Sequence, residues 1–461
     1  MLHIEEIRKS LLSQSFELDL YQVKLIQQCN QEPLSFSGAG RLYQTKKGDL
    51  RLKLYCQYPE LPDFGKKRSI IENQPAKIIS ADRLFKLESI DTDMHHWFSE
   101  NILLAPTIKI PPHPIGEVID VGIDTIKCVF SESASAKEGR RVLRVFCPGH
   151  CKIPANALEV IKNEYHETRY WNTCKFSWEQ CSITVRHKDD HIKATLSGNK
   201  NDVSIELIRR ILEAISVAFG KNLDWRLLEE KNDSCHVLYV QNATSCKSSI
   251  SRSAILHERY SEANDLIEFV SKYLYAFSSS REDFYCYWMF TTKCCDFMFE
   301  AHAVAISTSI EGVFKKYLSD IVKADQDLCA ELDEAISSIQ GTEKVYSERV
   351  KNILLSSLKY SKNVKEKTIV YEFIDRVNLS EQYAKNWSEL RNKFVHPKSI
   401  VRDNKKLHKS LNRISFCQIL FNILLLYLID FNGKYIEYCP QTGKRKSLIF
   451  FGRRRLDIQT T

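Results

Sequence analysis

No stretch of this 461-residue chain has the frame of a phosphate-binding loop. Gly443-Lys444 has no GxxxxG before it, and Gly38-Ala39-Gly40 has no third glycine, which excludes nucleotide binding through either motif. Long apolar runs are scarce as well. The longest, residues 419–429 (ILFNILLLYLI), is too short to span a bilayer and is broken by Asn422, so it is expected to be a buried core helix, with no membrane partner. No secretory leader pattern opens the sequence, and its 15 cysteines follow no framework spacing. Both absences predict a reducing cytoplasm rather than a disulfide scaffold. Internal repeats and low-complexity segments are also missing.

What is present is ordinary for a globular protein of two or three domains, with 43 % apolar and 27 % charged residues. The net charge of +8 is uneven. From Arg391 to the end, 15 lysines and arginines stand against 4 acids, whereas the first 280 residues are almost neutral. A basic surface of this kind suits a phosphate-backbone ligand, although a solvated basic tail has the same composition.

The first half reads as strands. Residues 38–56 form a hairpin pattern in which Leu50, Leu52 and Leu54 alternate with Arg51, Lys53 and Tyr55 behind a Lys-Gly-Asp turn. Residues 141–147, 181–187, 192–197 and 237–241 are further strands, and 204–219 is a helix with Ile205, Ile208, Ile211, Leu212 and Ile215 on one face. After about residue 250 the period turns helical, over 297–318, 325–339, 343–360, 366–377, 378–397 and 405–431, with Gly433 as the expected cap of the last helix. A closing hairpin, 435–438 with 447–451, ends the pattern. The expectation is therefore an α+β multidomain protein. A strand-rich, β-sandwich-like module (1–250) and a linker region (251–284) precede an all-α helical bundle with a basic C-terminal hairpin (285–461).

Residues 378–397 read NLSEQYAKNWSELRNKFVHP. Asn378 and Glu381 have capping-box spacing, and Leu379, Tyr383, Trp387, Leu390 and Phe394 form an apolar helical stripe. Arg391 lies at the edge of that stripe. Pro397 disfavours helical dihedrals at His396, which places the imidazole on the last turn. Three other pairs, Arg144/His150, Arg252/His257 and Arg402/His408, have comparable spacing. Only Arg391/His396 combines a polar residue after the arginine, an apolar stripe before it and a helix stop after it.

RNKFVH at 391–396, the helical context and the long apolar helix downstream resemble the HEPN superfamily, over roughly residues 285–432. The layout, with the GAGRLY…GDLRLKL hairpin near the N-terminus, is similar to ApeA-type anti-phage proteins. The resemblance implies a metal-independent endoribonuclease acting in anti-phage defence by abortive infection. It also implies an N-terminal sensor module answering a phage-derived trigger, and a homodimer or larger assembly whose paired motifs line one cleft. No cofactor or metal is expected.

The chemistry has its own physical basis. The 2′-oxygen of RNA attacks the adjacent phosphate, so few protein groups are needed. His396 exchanges protons near neutral pH, Arg391 offers a planar fork to phosphate oxygens, and Asn392 orients the imidazole or the substrate. Glu311, at the margin of the 297–318 helix, is the candidate for positioning Arg391. Lys393, Lys398, Arg402, Lys405, Lys406 and Lys409 are the candidate RNA-backbone contacts. Two rivals stand beside this reading. One is a non-catalytic RNA-binding or partner-binding HEPN protein, and the other is a zinc-dependent hydrolase built on Cys147, His150 and Cys151, whose spacing matches no standard zinc site.

Overall fold

The computed structural model describes residues 4–29, 33–57, 79–104, 116–130, 139–149, 151–162, 167–188, 190–233, 235–242, 253, 262–277, 283–295, 297–323, 325–341, 346–362, 364–394, 404–438 and 445–450. The chain divides into two compact units, residues 1–215 with 223–248 and residues 216–222 with 249–461.

The first unit begins with α1 (Ile4–Leu12) and carries β1 (Glu17–Gln27), β2 (Ser35–Gln44), β3 (Leu50–Gln57), β4 (Phe85–Asp91), β5 (His96–Ile102), β6 (Gly116–Gly122) and β7 (Thr125–Phe130). It continues through β8 (Arg140–Pro148), β9 (Ala157–Lys162), β10 (Glu167–Trp178), β11 (Cys181–His187), β12 (His191–Asn199), β13 (Leu227–Lys231) and β14 (His236–Gln241). Between β12 and β13 comes α2 (Ile205–Phe219). The strands form one 14-stranded sheet in the order β6-β3-β2-β1-β4-β5-β7-β14-β13-β8-β12-β11-β10-β9. The 38–56 hairpin forms in the expected register, with Gln44 opposite Leu50 and Leu42 opposite Leu52.

The sandwich expectation is corrected to one continuous hydrogen-bonded sheet. Side chains from ten adjacent strands, β6 through β8, join Ile7 and Leu11 of α1 in one buried cluster. Alternation in sequence shows which face is buried but not which strands share hydrogen bonds.

In the second unit, α3 (Ala263–Ala276), α4 (Asp283–Cys295), α5 (Phe299–Tyr317), α6 (Gln326–Gly341), α7 (Glu348–Ser361), α8 (Glu366–Arg376), α9 (Gln382–Phe394) and α10 (Asn404–Leu428) precede the hairpin β15 (Lys434–Tyr438) and β16 (Arg445–Phe450). Residues 251–284, expected as linker, contain α3. Its Phe269 packs edge-on to Phe431 and Tyr273 edge-on to Phe284, so α3 belongs to the helical core. Helix α10 is long and apolar enough to cross a membrane by length and composition, yet 61 % of its apolar window is buried within the fold, as in a core helix.

Two helix ends differ from expectation. Asn378 does not start α9 but closes α8. It adopts φ +51°, its N–H donates to Asp375 O, and Leu379 N–H donates to Ile374 O, the paired bonds of a Schellman cap. The same motif closes α10 at Asp430 (φ +51°), where Phe431 N–H donates to Leu426 O, so Gly433 is not the cap. A Cβ on Gly433 would stand 2.4 Å from the Phe431 ring, which accounts for glycine there.

Candidate active site

Helix α9 is held against the bundle by the stripe seen in sequence. Trp387, Leu390 and Phe394 are buried together with Ala384, and Tyr383 packs edge-on to Phe416 of α10. Trp387 also donates its indole N–H to the carbonyl oxygen of Ser307 on α5, at 3.0 Å. Elsewhere on α5, a Cβ on Gly312 would lie 2.5 Å from the Tyr287 ring of α4, so glycine there makes room for that ring. Glu311 lies on α5 between Ser307 and Gly312.

One turn beyond Trp387, Arg391 reaches Glu311 and forms a two-point pair. Nε donates to Oε2 at 2.5 Å and Nη2 to Oε1 at 3.0 Å. Lys315 Nζ donates to the same Glu311 Oε1 at 2.9 Å and reaches Glu366 Oε1 of α8 at 2.8 Å. Four charges thus link α5, α8 and α9. Burial alone would raise the Glu311 carboxyl, but hydrogen bonds from Arg391 and Lys315, with their charges, outweigh it and hold the group below the usual glutamate range. The balance at Glu366 is similar, with burial opposed chiefly by Lys315. Hydrogen bonds to Glu366 and Glu311 push Lys315 up to about 12, and the bond to Glu311 raises Arg391.

This geometry refines the expected fork. The Nε–Nη2 edge of Arg391 is taken by Glu311, while Nη1 makes no hydrogen bond among the described residues. A phosphate would therefore be met end-on, by Nη1 and the second hydrogen of Nη2. The network is neutral as a whole, with two acids balancing two bases, so it carries no net charge to attract a polyanion.

The remaining site residues are placed as follows. Asn392 is exposed on the last turn of α9. Lys393 directs its ammonium to Ser410 Oγ at 2.8 Å, which makes it a tie between α9 and α10 rather than an open cation. Lys405, Lys406 and Lys409 are exposed on the first turns of α10. His396, Lys398 and Arg402 lie outside the described residues. Lys315 and Glu366 were not anticipated from sequence, although the Glu311/Lys315 spacing is the i, i+4 pattern of a helical ion pair.

For the zinc rival, Cys147, Cys151, Cys174 and Cys181 are all buried, and His150 lies outside the described residues. Burial pushes the Cys174 thiol up to about 12 and raises Cys147 still further from the thiolate form that binds metal. Among the described residues no three His, Cys, Asp or Glu side chains are grouped to hold a metal ion.

No family model matches the chain, and neither a curated protein nor a solved structure matches it.

Proposed function

We propose that the chain is a metal-independent endoribonuclease of HEPN type, in which Arg391 binds the scissile phosphate and His396 transfers protons. The observation that carries this reading is Arg391 itself. It is part-buried at the end of α9 and clamped by Glu311 on one edge, with its Nη1 end directed to no protein group among the described residues. A guanidinium held in this way is preorganised, so little side-chain entropy is lost when a phosphate arrives. His396 follows five residues later, at the spacing that resembles the HEPN signature.

One arginine and one histidine provide a single proton-transfer group, whereas in-line cleavage uses a base at the 2′-oxygen and an acid at the 5′-oxygen. A homodimer with two motifs in one cleft supplies both and belongs to the proposal. So does an anti-phage role in the cytoplasm, with the first unit as regulator. The test is incubation of purified full-length protein with labelled single-stranded RNA in excess EDTA. Cleavage is expected, and RNA that stays intact under conditions where the protein binds it returns the chain to the non-catalytic class.

That non-catalytic reading has one observation in its favour. The neutral Arg391–Glu311–Lys315–Glu366 network ties three helices and would serve as a brace with no substrate at all.

The positive field is expected to come from Lys405, Lys406 and Lys409. Replacing all three by glutamine should lower the slope of log binding constant against log salt by about 2, from about 0.7 per phosphate contact on single strands. An unchanged slope would make these lysines solvated charges without a ligand.

A further inference from the structure

A cluster of cations in the first unit plays no part in the proposed reaction. Register places Lys193 of β12 directly opposite Phe146 of β8 on one side and Arg186 of β11 on the other. Two residues along, and on the same face, Arg144 lies opposite Thr195 of β12 and Glu229 of β13. Arg8 of α1 joins them from above, its guanidinium carbon 4.8 Å from the centre of the Phe146 ring, while Lys193 Nζ stands 5.4 Å from the same centre.

The charges do not balance. Arg8 donates to Glu229 Oε1 through Nε at 2.8 Å and approaches it through Nη2 at 2.6 Å. Arg144 reaches the other oxygen of that carboxylate at 3.5 Å, and Arg186 pairs with Glu159 at 2.5 Å. Arg8 Nη1 also stands 3.9 Å from the exposed Glu5 Oε1, so four cations face three carboxylates. Lys193 takes part in no ion pair or hydrogen bond among the described residues, and only the Phe146 ring faces its ammonium. Burial first, then the repulsion of Arg144, Arg8 and Arg186, pulls the lysine down to about 8, with Glu229 opposing. An unpaired, half-buried lysine among three arginines is unfavourable alone and is relieved by an anion.

We propose that Arg144, Arg186 and Lys193, backed by Arg8, bind the phosphate group of a small phosphorylated ligand on this face of the sheet. A phosphate group brings negative charge and several acceptor oxygens, which suits an unpaired lysine ringed by arginines that share their carboxylates. Neighbouring Thr195 adds a hydroxyl donor. From β8 to β11 the cluster spans only two strand spacings, about 10 Å, which fits a compact anion rather than a polymer path. The residues are far apart in sequence, and only the sheet order assembles them.

The test uses the full-length protein and limited labelling by an amine-acylating reagent, with Lys193 followed by peptide mass spectrometry. Inorganic phosphate at millimolar concentration should slow labelling of Lys193 several-fold, while chloride at equal ionic strength should not. Equal protection by inorganic phosphate and a nucleoside 5′-monophosphate identifies the phosphate group alone as the ligand. Protection by the nucleotide at lower concentration identifies a nucleotide. In calorimetry with the same probe, Lys193→Met should bind about tenfold or more weakly, as loss of one charge-assisted bond implies, and Lys193→Arg should retain binding. No protection by either small phosphate, protection by chloride alone, or protection only by a single-stranded RNA oligonucleotide would overturn the proposal. The labelling of wild-type protein decides this even if a variant fails to fold.

Discussion

His396→Ala is expected to lower the RNA cleavage rate about 10²–10⁴-fold, the usual contribution of a general acid or base, with the helical content of the protein unchanged. Arg391→Lys should fall with it, although lysine keeps the charge. A single ammonium cannot both hold Glu311 at two points and present a second pair of donors to a phosphate. The two variants should differ in pH response. Removing the histidine should flatten the rate profile near its ordinary pKa of about 6.5, whereas Arg391→Lys should lower the whole profile and leave its shape. Full activity in a folded His396→Ala protein would end the assignment at this site. A flat loss caused by Arg391→Lys through unfolding would appear as a lowered melting temperature, which the circular dichroism of the same sample reports.

Trp387→Ala should destabilise the helical unit by about 3–5 kcal/mol, the range for deleting a buried large aromatic side chain. The ring is 2 % exposed and its indole N–H reaches Ser307 O, so the change removes both packing and a bond that docks α9 on α5. Trp387→Phe keeps most of the ring and loses the donor, for about 1–2 kcal/mol. Denaturant unfolding measures both. Because Trp387 and Arg391 lie one turn apart on α9 and both contact α5, Trp387→Phe should also lower cleavage while leaving RNA binding nearly intact. A stability loss below about 1 kcal/mol for Trp387→Ala would mean that α9 is anchored elsewhere.

The helices and the inner contacts of the site were readable because their signals are local. The stripe of Trp387, Leu390 and Phe394, the alternation of Leu50, Leu52 and Leu54, and the position of Glu311 at a helix margin each occupy a few turns or residues. Asn378 was misread because asparagine serves both at a helix start and in the left-handed residue after a helix end. Only the backbone distinguishes the two uses. In α3, Leu266, Phe269, Val270, Tyr273 and Leu274 have helical spacing, but the serine-rich flanks on either side suggested a linker. Sheet order was not readable. The pairing of β7 with β14 joins residues more than a hundred positions apart, and alternation carries no record of partners. For the same reason the meeting of Arg8, Arg144, Arg186 and Lys193 has no trace in any local motif.

The central claim is most directly tested by the chemistry of the ends that the wild-type protein leaves on RNA in excess EDTA. Attack by the 2′-oxygen leaves 5′-hydroxyl ends, which polynucleotide kinase labels without prior phosphatase, opposite 2′,3′-cyclic phosphate or 3′-phosphate ends. That is the predicted result. Ends that accept label only after phosphatase treatment carry 5′-phosphates, which require an activated water, and would contradict a site built on Arg391 and His396.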